Sequence, residues 1–170
     1  MTKFSASFGE KAWAYLAPRQ HALMGAALIL LADDASKEWA LWALQHGQLP
    51  FWLIENQVGF SFGWNRGMSF SLLDGFAYAP HLLGAIAVAA STWFTHWLHE
   101  QPWPSLHQSG LAAIIGGALG NLVDRIQHGA VVDFIVLNPW GLFPYTFNVA
   151  DAAISLGVAL LLLDLWRTRR

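Results

Sequence analysis

Asp33, Asp124, Asp133 and Asp151 are the residues of this chain best suited to do chemistry, because each lies in or beside an apolar run. A carboxylate in such surroundings needs a partner or a function. Two aspartates held close together cannot both ionise easily, so one retains a proton. The charged member can take a proton from water, while the neutral member donates to a carbonyl oxygen or a leaving amine. Which member begins as the base is not readable from the residues, because the proton belongs to the pair.

Polar neighbours at regular spacing surround these acids. Asp33 and Lys37 are four apart, on one helix face, and are expected to form an ion pair. Asn121-Leu122-Val123-Asp124 repeats the pattern of Asn148-Val149-Ala150-Asp151. In each, Asn and Asp are three apart and share a helix face. Asn148 is also suited to cap a helix start, which would put Asp151 in the first turn, where the helix dipole favours a carboxylate. Structural roles account for many of these residues equally well: an ion pair for Asp33 and Lys37, a cap for Asn148, a turn for Asn65, an interfacial salt bridge for Asp124 and Arg125. Asp133 resists such an account, because it interrupts the apolar run Val131-Val132-Asp133-Phe134-Ile135-Val136. On residue pattern alone, Asp124 and Asp133 rank nearly equally as catalytic candidates.

Other chemistries find less support. With no cysteine, thiol catalysis, disulfides and cysteine metal sites are excluded. Ser36 adjoins Lys37, but helix neighbours do not face one another, and no Gly-x-Ser-x-Gly elbow occurs. His96 and His99 lie away from the acids, and His99-Glu100 is not followed by the second histidine of a zinc motif. Interfacial anchoring explains them. No metal or cofactor is expected. A formal net charge of -2 provides no basic surface for nucleic acid.

The elements that must position these residues are membrane helices. Hydrophobic residues make up 55% of the 170 residues and charged residues only 12%, against roughly 25% in soluble domains. Ten tryptophans fit an interfacial belt. Apolar stretches run over about 22–42, 79–98, 111–126 and 149–166, the last two short against the ~20 residues of a span. A cleaved secretory signal is not expected, since the first stretch leads into Asp33, Asp34, Lys37 and Glu38. Lys3, Lys11 and Arg19 precede the first stretch, and Arg167, Arg169 and Arg170 follow the last. Positive flanks favour the cytoplasm, so both termini are predicted inside, with a tail at 1–20 and a basic tail at 167–170. The 43–78 and 127–148 connections then lie outside. Asp33, Lys37, Asn121, Asp124, Arg125, Asp133, Asn148 and Asp151 then gather at the outer end, within one domain spanning 1–170.

The outer connection carries its own pattern. Phe60 and Phe62 alternate with glycine and serine, Met68, Phe70 and Leu72 alternate with serine, and Asn65-Arg66-Gly67 stands between as a turn signal. A small outer β-sheet is predicted. Gly116-Gly117-Ala118-Leu119-Gly120 offers small residues where another helix can approach closely.

Taken in order, these segments resemble the motifs of bacterial lipoprotein signal peptidase, also called signal peptidase II. Asp33-Asp34-Ala35-Ser36-Lys37 is similar to the first motif and Asn65-Arg66-Gly67-Met68-Ser69-Phe70 to the second. The run from Gly116 to Arg125, continued by Gly129-Ala130-Val131-Val132-Asp133-Phe134, resembles the third, and Phe147-Asn148-Val149-Ala150-Asp151 the last. The resemblance implies an all-α membrane protein of four transmembrane helices with a small outer sheet. It implies an aspartic endopeptidase that cleaves prolipoprotein signal peptides before a diacylglyceryl-modified cysteine in the bacterial inner membrane. By the same resemblance Asp133 and Asp151 are the catalytic pair. Asn65, Gly67, Asn121, Asp124, Arg125 and Asn148 are then substrate-lining or supporting, and Asp33 and Lys37 are structural supports. Membrane lipid and a globomycin-type cyclic peptide inhibitor are implied partners. Two other readings compete: a proton-coupled transporter using the carboxylates as a relay, and a non-enzymatic assembly factor with a lipid-binding sheet. Clustering of the acids at one end, away from the midplane, weighs against the transporter.

Overall fold

The computed structural model describes residues 19–67, 78–100, 103–138 and 145–169. Four helices carry the chain: α1 (Gln20–Gln45), α2 (Ala79–Glu100), α3 (Ser105–His128) and α4 (Val149–Thr168). Four short strands make one antiparallel sheet in the order β1 (Phe51–Ile54), β2 (Val58–Asn65), β3 (Val131–Leu137) and β4 (Thr146–Phe147). The chain is therefore mostly helical, with a small sheet contributed by both predicted outer connections.

Helix α3 is the centre of the bundle, and glycine is the reason. A Cβ on Gly116 would come within 2.5 Å of the Ala26 carbonyl oxygen on α1, and one on Gly117 equally close to that of Ala150 on α4. One on Gly120 would collide with the Asp33 carboxylate. Backbones approach to this distance only where no side chain intervenes, so the small-residue run predicted to receive one helix receives two. Near the far end Gly110 and Gly157 make a similar contact between α3 and α4. There Ala22, Leu98, Leu111 and Ile115 form a buried apolar cluster.

The third helix is longer than its apolar run suggested. It begins at Ser105 rather than near 111, and polar residues complete it as far as His128. Gly129 ends it in the left-handed conformation at φ 65°, the usual helix-terminating glycine geometry. That stop releases the chain directly into β3, which carries Asp133.

The predicted sheet exists, and it extends beyond the alternation at Phe60 and Phe62 to four strands. Turn residues 55–57 join β1 to β2, with Asn56 at φ 56°, and β1 was not anticipated as a strand. β2 pairs with β3, so that Gly63 lies opposite Asp133 and Asn65 opposite Val131. The predicted strand at Met68, Phe70 and Leu72 lies outside the described residues. Alternation along β3 sends Val132 and Phe134 to the face opposite Asp133, where they pack with Ala40 of α1. Trp39 adds edge-on contacts to Phe60 and Phe134.

Among the described residues, one helix, Val149–Thr168, is both long and apolar enough to cross a membrane, with mean hydropathy 1.9. Helix α1 has the length, at 26 residues, but carries Asp33, Asp34, Lys37 and Glu38. Two of those, Asp33 and Lys37, are buried against α3 rather than presented outward. Large apolar side chains face outward instead, among them Leu28, Leu31, Ile86, Trp93, Leu156 and Leu162.

Candidate active site

The polar residues predicted to converge do so, in one connected network. Lys37 is its hub. Its Nζ meets Asp33 Oδ2 at 2.6 Å, Asp124 Oδ2 at 3.1 Å and Asn121 Oδ1 at 3.1 Å. An ammonium has only donors and no acceptor, and each of these three contacts is to an acceptor oxygen. All four side chains are buried. The i,i+4 pairing of Asp33 with Lys37 forms as the spacing predicted. Asp124 pairs with Lys37 rather than with Arg125, and its Oδ2 also accepts the backbone N–H of Val132 at 2.8 Å. Asp124 therefore secures the start of β3 to the end of α3.

The first turn of α4 is held by two side chains. Asn148 caps it, with Oδ1 accepting the Asp151 N–H at 2.9 Å. Asp33 Oδ1 reaches across from α1 to accept the Ala150 N–H at 2.8 Å. Two of the amide donors that a helix start leaves unpaired are thus satisfied, one locally and one from a distant helix. As a cap, Asn148 sits just outside the helix, so its relation to Asp151 is through the backbone rather than along a shared face.

Asp133 and Asp151 enter the network through neutral amides. Asn148 Nδ2 donates to Asp133 Oδ1 at 2.7 Å, and Asn65 Nδ2 donates to Asp133 Oδ2 at 3.0 Å. Asn65 reaches Asp133 on the diagonal of the β2–β3 pair, two positions from the residue opposite it. Asn121 Nδ2 donates to Asp151 Oδ1 at 2.8 Å. Asn121 and Asn148 are themselves joined, Nδ2 of Asn148 to Oδ1 of Asn121, at 3.1 Å. Two carboxyl groups thus hang from one pair of linked amides.

Their surroundings differ. Asp133 is 3% exposed, whereas Asp151 is only half-buried. Burial raises the Asp133 carboxyl first, and the nearby Asp151 charge raises it further. Donation from Asn65 and Asn148 and the more distant Lys37 charge oppose this, and the balance lies at about 7. Near neutrality Asp133 is therefore poised between its protonated and charged forms.

The remaining predicted residues lie close by. Arg125, half-buried, donates from Nη1 to the Asn121 carbonyl at 2.9 Å and interacts electrostatically with Asp151, Asp124 and Asp133. Gly67 is buried in the bend after β2. Residue reasoning did not foresee the backbone contacts of Asp33 and Asp124 or the Trp39–Phe60–Phe134 cluster, since none has a local spacing signal. It also missed a buried pair at the opposite end, His107 Nδ1 to Asp164 Oδ2 at 3.0 Å, beside a cavity of about 470 Å³.

Two carboxyl groups of unequal burial, held by amides at the end of a helical bundle, form an arrangement able to exchange protons with a bound molecule. The family follows from the chain's relatives: residues 25–167 match the family model described as signal peptidase (SPase) II, and the chain belongs to that family and is a peptidase. It is 41% identical over 145 residues to the lipoprotein signal peptidase of Shewanella sediminis (strain HAW-EB3), covering 81% of this chain and 78% of that one. It is 39% identical over 140 residues to the lipoprotein signal peptidase of Caulobacter vibrioides, covering 82% of each chain. Two solved bacterial membrane enzymes share the fold, with TM-scores of 0.73 and 0.70 at 22% identity. The first comparison covers 87% of this chain and 88% of the other, the second 86% and 92%. A peptidase assignment sets aside the transporter and assembly-factor readings.

Proposed function

We propose that this chain is a membrane-embedded aspartic endopeptidase that removes signal peptides from lipid-modified prolipoproteins, with Asp133 and Asp151 as its catalytic pair. The observation that carries this reading is the asymmetry of the two carboxyl groups, one buried with a carboxyl near 7 and one half-exposed, joined through Asn148 and Asn121. Asp151 takes a proton from water as the oxygen attacks the scissile carbonyl. Asp133 gives its proton to the carbonyl oxygen. When the tetrahedral species collapses, the C–N bond breaks, the proton on Asp151 passes to the leaving amine, and Asp133 recovers its own from the hydroxyl whose oxygen becomes the carbonyl of the new carboxyl group.

The four helices, of 26, 22, 24 and 20 residues, each reach the ~30 Å of a hydrocarbon core at 1.5 Å per residue. Their outward apolar side chains favour four spans, and the basic flanks favour both termini in the cytoplasm of the inner membrane. The network then lies at the outer face. A substrate keeps its apolar segment and diacylglyceryl chains in lipid while the bond before the modified cysteine reaches the aspartates. Each buried methylene of those chains contributes about 0.8 kcal/mol to binding. A globomycin-type cyclic peptide is the expected competitor.

The test is processing of a lipidated preprotein by Asp133→Asn and Asp151→Asn chains in membranes. Each change is expected to lower turnover by about 10²–10⁴-fold or more, the usual contribution of general acid–base catalysis, and uncleaved lipidated precursor should accumulate. Normal processing by either stable variant would remove that residue from the pair.

A further inference from the structure

The strongest unexplained feature is the hydrogen bond from Lys37 to Asn121. Two carboxylates, Asp33 and Asp124, already compensate the Lys37 charge, yet its ammonium donates to a neutral amide, Asn121 Oδ1. The other end of that amide is what touches Asp151. We propose that Lys37 is a positioning residue: by fixing the orientation of the Asn121 amide, it makes Asp151 the charged member of the pair and leaves the proton on Asp133. This rests on the catalytic pair proposed above.

An asparagine side chain can turn over, exchanging its oxygen and nitrogen. Asn121 cannot do so here without two conflicts. Its Nδ2 would face the Lys37 ammonium, which only donates, and also the Asn148 Nδ2 that now donates to it. Asn148 is fixed in turn, because the Asp151 backbone N–H also only donates and must meet Oδ1. In the observed orientation Asn121 presents an N–H to Asp151 Oδ1, polarised by the cation on its oxygen. A donor favours the carboxylate form. Turned over, the amide would present a carbonyl oxygen and favour the protonated acid.

The other charges near Asp151 do not make this choice alone. Arg125 on α3 interacts with Asp151 but also with Asp133 and Asp124. Asp133 on β3 opposes a charge on Asp151. From α1, Asp33 and Lys37 belong with Asp124 of α3 to a group of two acids and one ammonium, which acts on Asp151 through Asn121. Among the described residues, only Asn121 contacts Asp151 with a side-chain donor whose direction is set from outside the pair.

The experiment is the pH dependence of kcat and KM for the full chain in lipid nanodiscs, with a lipidated signal-peptide substrate. Two variants break the relay differently. Asn121→Ser removes the donor to Asp151. Lys37→Gln combined with Asp124→Asn keeps the net charge of the buried group but replaces the ammonium with an amide that accepts as readily as it donates. In each, the acidic edge of the kcat profile is expected about one pH unit higher, tenfold in proton concentration, with KM little changed. A merely structural role would lower the folded fraction without moving that edge. An unmoved edge in either folded variant overturns the proposal. Infrared spectra near pH 6 supply a second readout: the protonated-carboxyl band should vanish in Asp133→Asn and persist in Asp151→Asn, and the reverse overturns the assignment. Unimpaired cleavage by Asp133→Asn or Asp151→Asn would instead sink the catalytic pair itself.

Discussion

Asn148 donates from Nδ2 to Asp133 Oδ1 over 2.7 Å while its Oδ1 caps the helix that carries Asp151. One fully buried side chain thus ties strand β3 to the start of α4. The same amide that stabilises a helix end also sets the relative placement of the two proposed catalytic groups, and the two roles can be separated.

Asn148→Ala removes both roles. It should lower stability by about 1 kcal/mol through the lost cap and turnover by about 10- to 100-fold through the lost hydrogen bond. Asn148→Ser keeps a capping oxygen but is too short to reach Asp133. Its melting temperature should recover towards that of the parent while turnover stays low. A serine variant that recovers both would show that the bond to Asp133 is dispensable.

The pH dependence of turnover follows from the Asp133 carboxyl at about 7. As the proposed general acid it must be protonated, so kcat/KM should fall as pH rises through that value. At low pH kcat/KM should fall again as the base becomes protonated. A profile of kcat/KM against pH that stays flat well above neutrality would contradict the role given to Asp133.

Stability should carry the same signature. The Asp133 carboxyl is raised from 3.8 to about 7 in the folded chain, so the folded state binds more protons than the unfolded state between those values. Asp133 therefore destabilises the fold progressively as pH rises from about 4 to 7, by up to about 4 kcal/mol. Asp133→Asn abolishes that dependence. Its melting temperature relative to the parent should rise across this window, whatever the offset at low pH. A gap that does not change with pH would count against the raised carboxyl.

Gly120 should tolerate no side chain, because a Cβ there collides with Asp33, which holds both Lys37 and the start of α4. Gly120→Ala is expected to cost about 1–3 kcal/mol, typical of overpacking, and to lower turnover with it. Gly25→Ala is the control, since its Cβ would lie 3.7 Å from that of Ala112, an ordinary contact. Thermal unfolding in detergent compares the two directly, and equal effects would mean that Gly120 is not a close-approach position.

Asp124→Asn separates support from chemistry. Asparagine can still accept the Val132 N–H but no longer compensates Lys37. Loss of one partner of a buried ion pair costs at most about 3–5 kcal/mol, and Asp33 remains to lessen it. Folded yield should fall while the surviving protein turns over normally. Complete loss of turnover in well-folded, substrate-binding protein would move Asp124 into the catalytic pair.

Local pattern was sufficient for much of this protein. Apolar runs located the four helices to within a few residues at most ends, because a helix announces itself through consecutive residues. The exception was α3, whose polar first turn hid its start at Ser105. The Asp33–Lys37 pair and the Asn148 cap were legible for the same reason, since both act over three or four positions. The family motifs singled out Asp133 and Asp151, but spacing alone ranked Asp124 beside Asp133.

Only the folded chain distinguishes the surroundings of those two acids. Asp124 lies against an ammonium and a backbone N–H, whereas Asp133 lies against two neutral amides from Asn65 and Asn148. The partners of Asp133 are 68 and 15 positions away, and β1 and β4, of four and two residues, are too short to carry a pattern of their own and are defined by pairing with β2 and β3. Periodicity records which face a residue occupies. It does not record what another segment brings to that face, and a carboxyl group's tendency to hold a proton depends on what is brought.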